Sequence, residues 1–123
     1  MLVHLVLFRP RSDLDAAMRQ GVAEALTAAS TQIPGVRRVR VGQRVTHGRG
    51  YEQLMRSNYT HVAMLEFDDL AGLQAYLAHP VHEQLATRFF AAFDEALMYD
   101  YEVGEGDAAI RAIAANRSDA EKP

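Results

Sequence analysis

The sequence predicts an α+β domain with the element order β-α-β-β-α-β and one four-stranded antiparallel sheet. Three observations support this prediction: apolar strand-like runs recur along the chain, segments of helical periodicity separate them, and the two kinds of segment alternate in that order. The chain has 123 residues, of which 49 % are hydrophobic and 24 % are charged, which is the size and composition of one globular domain.

The first strand and the first helix are marked by their apolar patterns. Residues 2–9 are apolar on both alternating faces, which predicts a strand that is covered on both sides. Ser12 followed three residues later by Asp15 resembles a capping box, so we expect a helix to begin there. Apolar residues at three- and four-residue spacing continue this amphipathic helix to about Thr31.

Two more strands follow, joined by a long loop. Residues 36–45 alternate apolar residues with arginines, which is the period-two pattern of a half-buried strand. Residues 46–58 show no clear periodicity and predict a surface loop. Residues 60–67 predict a strand that is apolar on both sides, like the first one.

A proline divides the second helical region. We expect a short helix through Leu77 and a longer one from Pro80 to about Ala96, because proline cannot continue a helix but fits its first position. Residues 97–103 predict the last strand.

The predicted domain covers residues 1–103, and a polar C-terminal tail follows over residues 104–123. The tail is expected to form a helical turn or two. From Ser118 onward its composition predicts disorder.

The composition argues against several classes of function. A formal net charge of −3 provides no basic face for nucleic acids or anionic membranes. The chain has no cysteine, which excludes disulfides, thiolate metal sites and cysteine nucleophiles. The apolar run at residues 2–8 is too short to span a membrane and is not followed by a signal-peptide cleavage site, so a cytoplasmic protein is expected.

The order of elements is that of the ferredoxin-like fold, which places both helices on one face of an antiparallel sheet. The other face is apolar as well, and a chain of this length has no spare element to cover it. We therefore expect a homodimer in which two sheets pack together as a dimeric α/β barrel.

The segment YLAHPVHEQL, residues 76–85, is the richest in chemistry. It places Tyr76, His79 and His82 around the break that Pro80 imposes. We interpret His79 as structural, because a histidine at such a break caps a helix or binds backbone groups.

Strand parity adds two more histidines. His4 shares a strand face with Val6 and Phe8, and His61 shares a face with Leu65. If these faces point toward the helices, both histidines line one apolar cavity together with the tyrosine and the second histidine of YLAHPVHEQL. A neutral imidazole suits proton abstraction next to a carbonyl, and a phenol suits hydrogen bonding to the developing enolate oxygen.

These motifs resemble the stress-responsive dimeric α/β-barrel (Dabb) family. The matching stretches are VHLVLFR, IPGV, YTHVAMLEFDD, LQAYLAHPVHEQL and YDYE, which together span residues 2–103. The resemblance implies the ferredoxin-like fold and a homodimer. Some plant members of the family are polyketide cyclases, which close a linear poly-ketone by intramolecular aldol condensation.

The resemblance also implies roles for individual residues. In those cyclases the histidine that matches His82 is the general base, and the tyrosine that matches Tyr76 orients the substrate carbonyl. Histidines also stand at the positions of His4 and His61, whereas Leu26 stands where the cyclases have a pocket tyrosine. We predict His82 and Tyr76 as catalytic, and as ligand-binding the following residues: His4, His61, Val6, Phe8, Leu26 and Leu65.

Three hypotheses for function follow. The first is a protein that binds a small hydrophobic carbonyl-bearing ligand and catalyses its cyclisation or enolisation without a cofactor. The second is a non-catalytic binding or stress-protection protein whose histidines are structural, and the third is a cofactor-free monooxygenase. A metal site at His79 and His82 is not predicted, because Pro80 interrupts their spacing and no His-Glu-x-x-His pattern supports it.

Overall fold

The structure, a computed structural model, describes residues 1–115. Its four strands are β1 (Leu2–Pro10), β2 (Arg38–Gln43), β3 (His61–Phe67) and β4 (Phe93–Glu102). They form one sheet in the order β2-β3-β1-β4, and every neighbouring pair is antiparallel. The predicted α+β, ferredoxin-like class is confirmed.

Three helices cover one face of this sheet, and shorter ones lie in the loop and the tail. The helices are α1 (Ala16–Gln32), α2 (Tyr51–Leu54), α3 (Leu70–Ala78), α4 (Pro80–Ala92) and α5 (Gly106–Arg111), the last followed by a 3₁₀ turn (Ala112–Ala115). Among the helices of the described residues, none is long and apolar enough to cross a membrane.

The core lies between the sheet and the three long helices. The strands contribute a set of buried apolar side chains that includes Val6, Phe8, Leu65 and Phe67. The helices contribute Ala25, Ala29, Leu73, Tyr76 and Leu85 to the same core.

Within residues 1–115 no helix packs on the opposite face of the sheet, called here the open face, and this face presents three rows of side chains. The register of the strands determines these rows, because paired residues on neighbouring strands lie side by side. From β2 to β4 the rows run Arg38, Glu66, Val3 and Tyr101; Arg40, Met64, Leu5 and Tyr99; and Gly42, Val62, Leu7 and Leu97.

Helix α1 begins later than predicted. Asp15, not Ser12, is its N-cap, and its Oδ1 accepts a hydrogen bond of 2.8 Å from the backbone N–H of Met18. The residues before it form a turn, in which the Leu14 N–H donates to the carbonyl of Arg11 at 3.2 Å. The spacing of Ser12 and Asp15 was therefore misinterpreted, because the second residue of the pair is itself the cap.

Strand β4 begins earlier than predicted, at Phe93, and α4 ends at Ala92 rather than near Ala96. The spacing of Phe89, Phe93 and Leu97 fits a helical stripe, which misled the sequence prediction. Pairing with β1 overrides this pattern, since the backbone from Phe93 onward forms a ladder with it.

The helix break at Pro80 is confirmed. Asp69 caps α3 by accepting from the Gly72 N–H at 2.9 Å, and Pro80 occupies the first position of α4. The tail contains the expected helical turns, and the disorder predicted from Ser118 falls outside the described residues.

Candidate active site

A cavity of about 170 Å³ lies between the helix-covered face of the sheet and helices α1, α3 and α4. Three of its lining residues carry titratable rings: His4, Tyr76 and His82. The other lining residues are aliphatic, aromatic or methionine, and they include the predicted Val6, Phe8, Leu26 and Leu65 as well as Phe89 and Phe93. The cavity is therefore apolar except where these three polar rings line it.

The three rings lie next to one another, with Tyr76 in the middle. The centroids of Tyr76 and His82 are 4.7 Å apart with the planes at 62°, and those of His4 and Tyr76 are 6.0 Å apart. His4 projects from β1, Tyr76 from the last turn of α3 and His82 from the first turn of α4. Two segments that are distant in sequence therefore meet at one point.

His79 has the structural role that was predicted for it. Its Nδ1 accepts a hydrogen bond of 3.1 Å from the backbone N–H of Val81, so it is the N-cap of α4. Its own N–H donates to the carbonyl of Tyr76 at 3.2 Å, which ends α3. These two bonds fix the break and thereby the position of His82 three residues later.

Asp100 is a member of the site that the sequence analysis did not identify. Its Oδ1 lies 2.6 Å from Nδ1 of His4, and the two residues are directly paired between β1 and β4. An ionised carboxylate only accepts, so Nδ1 of His4 donates the proton of this hydrogen bond and Nε2 is the ring nitrogen left to face other groups. The signal was present, because alternation along β4 puts Asp100 and Met98 on the same, helix-covered face.

The protonation of Tyr76 and His82 follows from their surroundings. Burial raises the pKa of Tyr76 to about 12, so the phenol keeps its proton at neutral pH. Burial lowers the pKa of His82, and the neighbouring His4 lowers it further by electrostatic repulsion. His82 is therefore a neutral imidazole at pH 7, next to a protonated phenol.

His61 lies elsewhere than the sequence analysis expected. His4 is paired with Leu65, and His61 lies four positions before Leu65 along β3, which is a distance of about 13 Å. The alternation along β3 predicted the correct face for His61 but not its position along the strand. His61 stacks on Phe8 with centroids 5.4 Å apart and lines a second, more open pocket of about 380 Å³.

The second pocket is formed by the loop between β2 and β3 and the end of the sheet. In that loop Tyr51 Oη lies 2.7 Å from Nε2 of His47, and the Glu52 carboxylate accepts from the N–H groups of His47 and Gly48. Across residues 1–115 no three histidine, aspartate or glutamate side chains are grouped so that they would hold a metal ion.

Known proteins share this architecture. The chain is 22 % identical over 98 residues to olivetolic acid cyclase of Cannabis sativa, which covers 80 % of this chain and 92 % of that protein. The crystal structure of At3g17210 from Arabidopsis thaliana has a TM-score of 0.72 at 20 % identity, covering 87 % of this chain and 99 % of that one. A dimeric ferredoxin-like protein of unknown function from Jannaschia sp. has a TM-score of 0.63 at 26 % identity, covering 83 % and 98 %.

The sequence model of one family, the stress responsive A/B barrel domain or Dabb, matches residues 2–103. This match spans all four strands and helices α1 to α4. The chain therefore belongs to the stress responsive A/B barrel domain family.

Proposed function

We propose that the chain binds a small hydrophobic carbonyl compound in the cavity and catalyses proton abstraction from the carbon next to the carbonyl. The observation that supports this most is the contact between a neutral imidazole, His82, and a protonated phenol, Tyr76, inside an apolar cavity. The first is the form that a general base needs, and the second is the form that an oxyanion donor needs.

In the proposed reaction His82 removes the proton from the carbon. The electron pair of the broken C–H bond moves into the C–C bond, and that of the carbonyl π bond moves to oxygen. The phenol of Tyr76 donates a hydrogen bond to the resulting enolate oxygen. In a substrate with a second carbonyl, the enolate carbon attacks that carbonyl and closes a ring. The enolate oxygen becomes a carbonyl oxygen again, and the new alkoxide takes up the proton held by His82. This is a cyclisation of the kind that the name of olivetolic acid cyclase indicates for that protein.

His4 and Asp100 take the role of positioning groups in this proposal. The 2.6 Å bond between them fixes the orientation of the His4 ring beside Tyr76. With Nδ1 bonded to Asp100, Nε2 is the nitrogen of His4 that can hydrogen-bond a polar group of the ligand. The two residues thus define the polar end of the cavity.

The volume of the cavity limits the size of the ligand that it can hold. About 170 Å³ is close to the roughly 150 Å³ of an apolar cavity that accommodates benzene. Phe8, Phe89 and Phe93 stand close together along one wall, with ring centroids 4.2 to 5.3 Å apart. A short-chain ketone fits this space, and pentane-2,4-dione, a short 1,3-diketone, is a suitable probe.

The enol of such a diketone absorbs in the ultraviolet, so tautomerisation can be timed with wild-type protein and variants. We expect His82→Ala to lower the acceleration by about 100-fold or more, since general-base catalysis contributes roughly 10²- to 10⁴-fold, and Tyr76→Phe to lower it by up to about 10³-fold, the usual limit for one oxyanion donor. His47→Ala is the matched control, since His47 is exposed in the other pocket. An unchanged rate in His82→Ala would disprove the base assignment.

The second candidate is a binding protein without catalysis, in which the rings only hold the site together. The short His4–Asp100 bond favours it, since such a bond also stabilises a fold. In this case the diketone binds to wild-type protein but its tautomerisation is not accelerated. His82→Ala then lowers the melting temperature and leaves the affinity unchanged.

We further propose that the chain is a cytoplasmic homodimer with its open face buried between two copies. Leu97, Tyr99 and Tyr101 are exposed large side chains on this face, and an apolar sheet face needs a cover. The similar protein from Jannaschia sp. is described as dimeric. Sedimentation equilibrium of the full chain tests the association, and a monomer at all concentrations would refute it.

A further inference from the structure

Within the described residues, no lysine or arginine lines the cavity of the candidate active site. Its polar groups are the rings of His4, Tyr76 and His82. Helix α4 has one arginine, Arg88, whose guanidinium lies against α1, where a Cβ atom added at Gly21 would be 2.6 Å from it. The described lining residues therefore offer no guanidinium or ammonium group to an anionic ligand.

The one carboxylate of this site gives it a negative charge. Asp100 is bonded to Nδ1 of His4 at 2.6 Å. With a neutral His4 ring the pair carries a charge of −1, and with a protonated ring the carboxylate is already its counter-ion. His82 adds no charge, because burial and the nearby His4 lower its pKa and leave the imidazole neutral at pH 7. In either protonation state of His4 these groups together are neutral or negative.

A ligand in this cavity is also shielded from water. Three residues of its wall, Val6, Leu65 and Tyr76, are only 6 %, 2 % and 1 % exposed. A carbonyl oxygen needs one donor there, and the phenol can supply it. A carboxylate loses the hydration of a full charge and finds no unpaired cation among the described lining residues. Burying such a charge costs far more than burying an amide or a ketone.

We propose that the cavity selects uncharged dicarbonyl compounds and excludes carboxylates, and that Asp100 is a residue that determines this specificity. The inference rests on the proposed function, because it concerns the same site, and it defines the class of the substrate. A β-keto acid must then lose its carboxylate, or be converted to an ester or an amide, before it becomes a ligand.

Asp100 acts on the ligand through space, across the His4 ring. Its carboxylate is about 8 Å from a ligand atom that contacts Nε2 of His4, and over this distance the repulsion of a second negative charge weakens binding on the order of tenfold. The larger part of the exclusion comes from the missing cation.

Three compounds of the same shape test the selectivity: pentane-2,4-dione, 3-oxobutanamide and 3-oxobutanoate. They differ only in the group on one carbonyl, which is a methyl, an amide NH2 or, at pH 7, an ionised oxygen. Dissociation constants from NMR titration of the full chain compare them whether or not the bound compound reacts. We expect the dione and the amide to bind within about tenfold of each other, and 3-oxobutanoate to bind at least about 100-fold more weakly.

Two variants change the charge at the site. Asp100→Asn removes the carboxylate and is expected to lower the preference for the amide over 3-oxobutanoate about tenfold. Met98→Lys places a cation in the cavity wall, where Met98 is 44 % exposed, and is expected to lower this preference at least as much. Gln84→Lys adds the same charge at an exposed position of α4 outside the cavity and is the control.

Circular dichroism shows whether each variant is folded, and the comparison of the three compounds with wild-type protein needs no variant. If the dione and the amide bind and 3-oxobutanoate binds equally well, the selectivity is refuted while the proposed function stands. If none of the three binds, the proposed function fails and the selectivity fails with it. An unchanged preference in folded Asp100→Asn refutes the role of Asp100. Equal effects of Gln84→Lys and Met98→Lys would mean that the net charge of the chain, not the cavity wall, sets the affinity.

Discussion

Replacing Asp100 by asparagine tests the one site contact that the sequence did not reveal. The change keeps the shape of the side chain and removes its charge. A hydrogen bond to a charged group contributes roughly 1.5 to 3 kcal/mol. The Asp100 side chain is 45 % exposed, so solvent screening reduces this figure, and we expect a loss of about 1 kcal/mol in the free energy of unfolding.

The effect on activity has a different cause. Asparagine can present either its oxygen or its amide N–H to Nδ1, so it no longer enforces one tautomer of His4. We expect the acceleration of diketone tautomerisation to fall about tenfold, which corresponds to about 1.4 kcal/mol. Rates at several pH values separate this from a loss of folded protein, because a smaller folded fraction would scale all rates equally.

Urea denaturation and the tautomerisation assay are applied side by side to Asp100→Asn and Asp94→Asn. Asp94 lies on the same strand and is exposed, so its replacement controls for the change in net charge. If both variants unfold at the same urea concentration, the His4–Asp100 bond does not stabilise the fold. If Asp100→Asn has the full rate, the bond does not position His4 for the reaction.

Three further predictions concern the architecture around the site. His79→Ala removes the N-cap of α4 and should cost about 1 kcal/mol in thermal denaturation, whereas Gln84→Ala on the same helix should cost far less. Gly35→Ala forces a side chain to a φ of 96° and should cost about 1 to 2 kcal/mol, unlike Gly50→Ala at a φ of −59°. The rate of diketone tautomerisation should rise with pH through a pKa below the usual histidine value of about 6.5 and then level off. The reason is that the lowered pKa of His82 keeps its imidazole neutral, and therefore basic, down to a lower pH. A rise centred above pH 7 would contradict this.

The features that depend on local sequence patterns could be predicted from the sequence. Alternation and helical periodicity gave the order of elements, and Pro80 gave the break that positions His82. What it did not give depends on pairing between distant strands. Asp100 becomes a partner of His4 only through the register of β1 and β4, and His61 is separated from His4 only through the register of β1 and β3.

Strand β4 connects the candidate site with the proposed interface. Its successive side chains alternate, so that Asp100 points to His4 while Tyr99 and Tyr101 point to the open face. A second copy packed on the two tyrosines would hold the backbone on both sides of Asp100, and dissociation would release it. We therefore expect the tautomerisation rate per chain to fall on dilution of wild-type protein in parallel with the dimer fraction, and to be low at all dilutions in Tyr99→Arg. A rate per chain that is independent of concentration, while sedimentation shows dissociation, would mean that each site is complete within one copy.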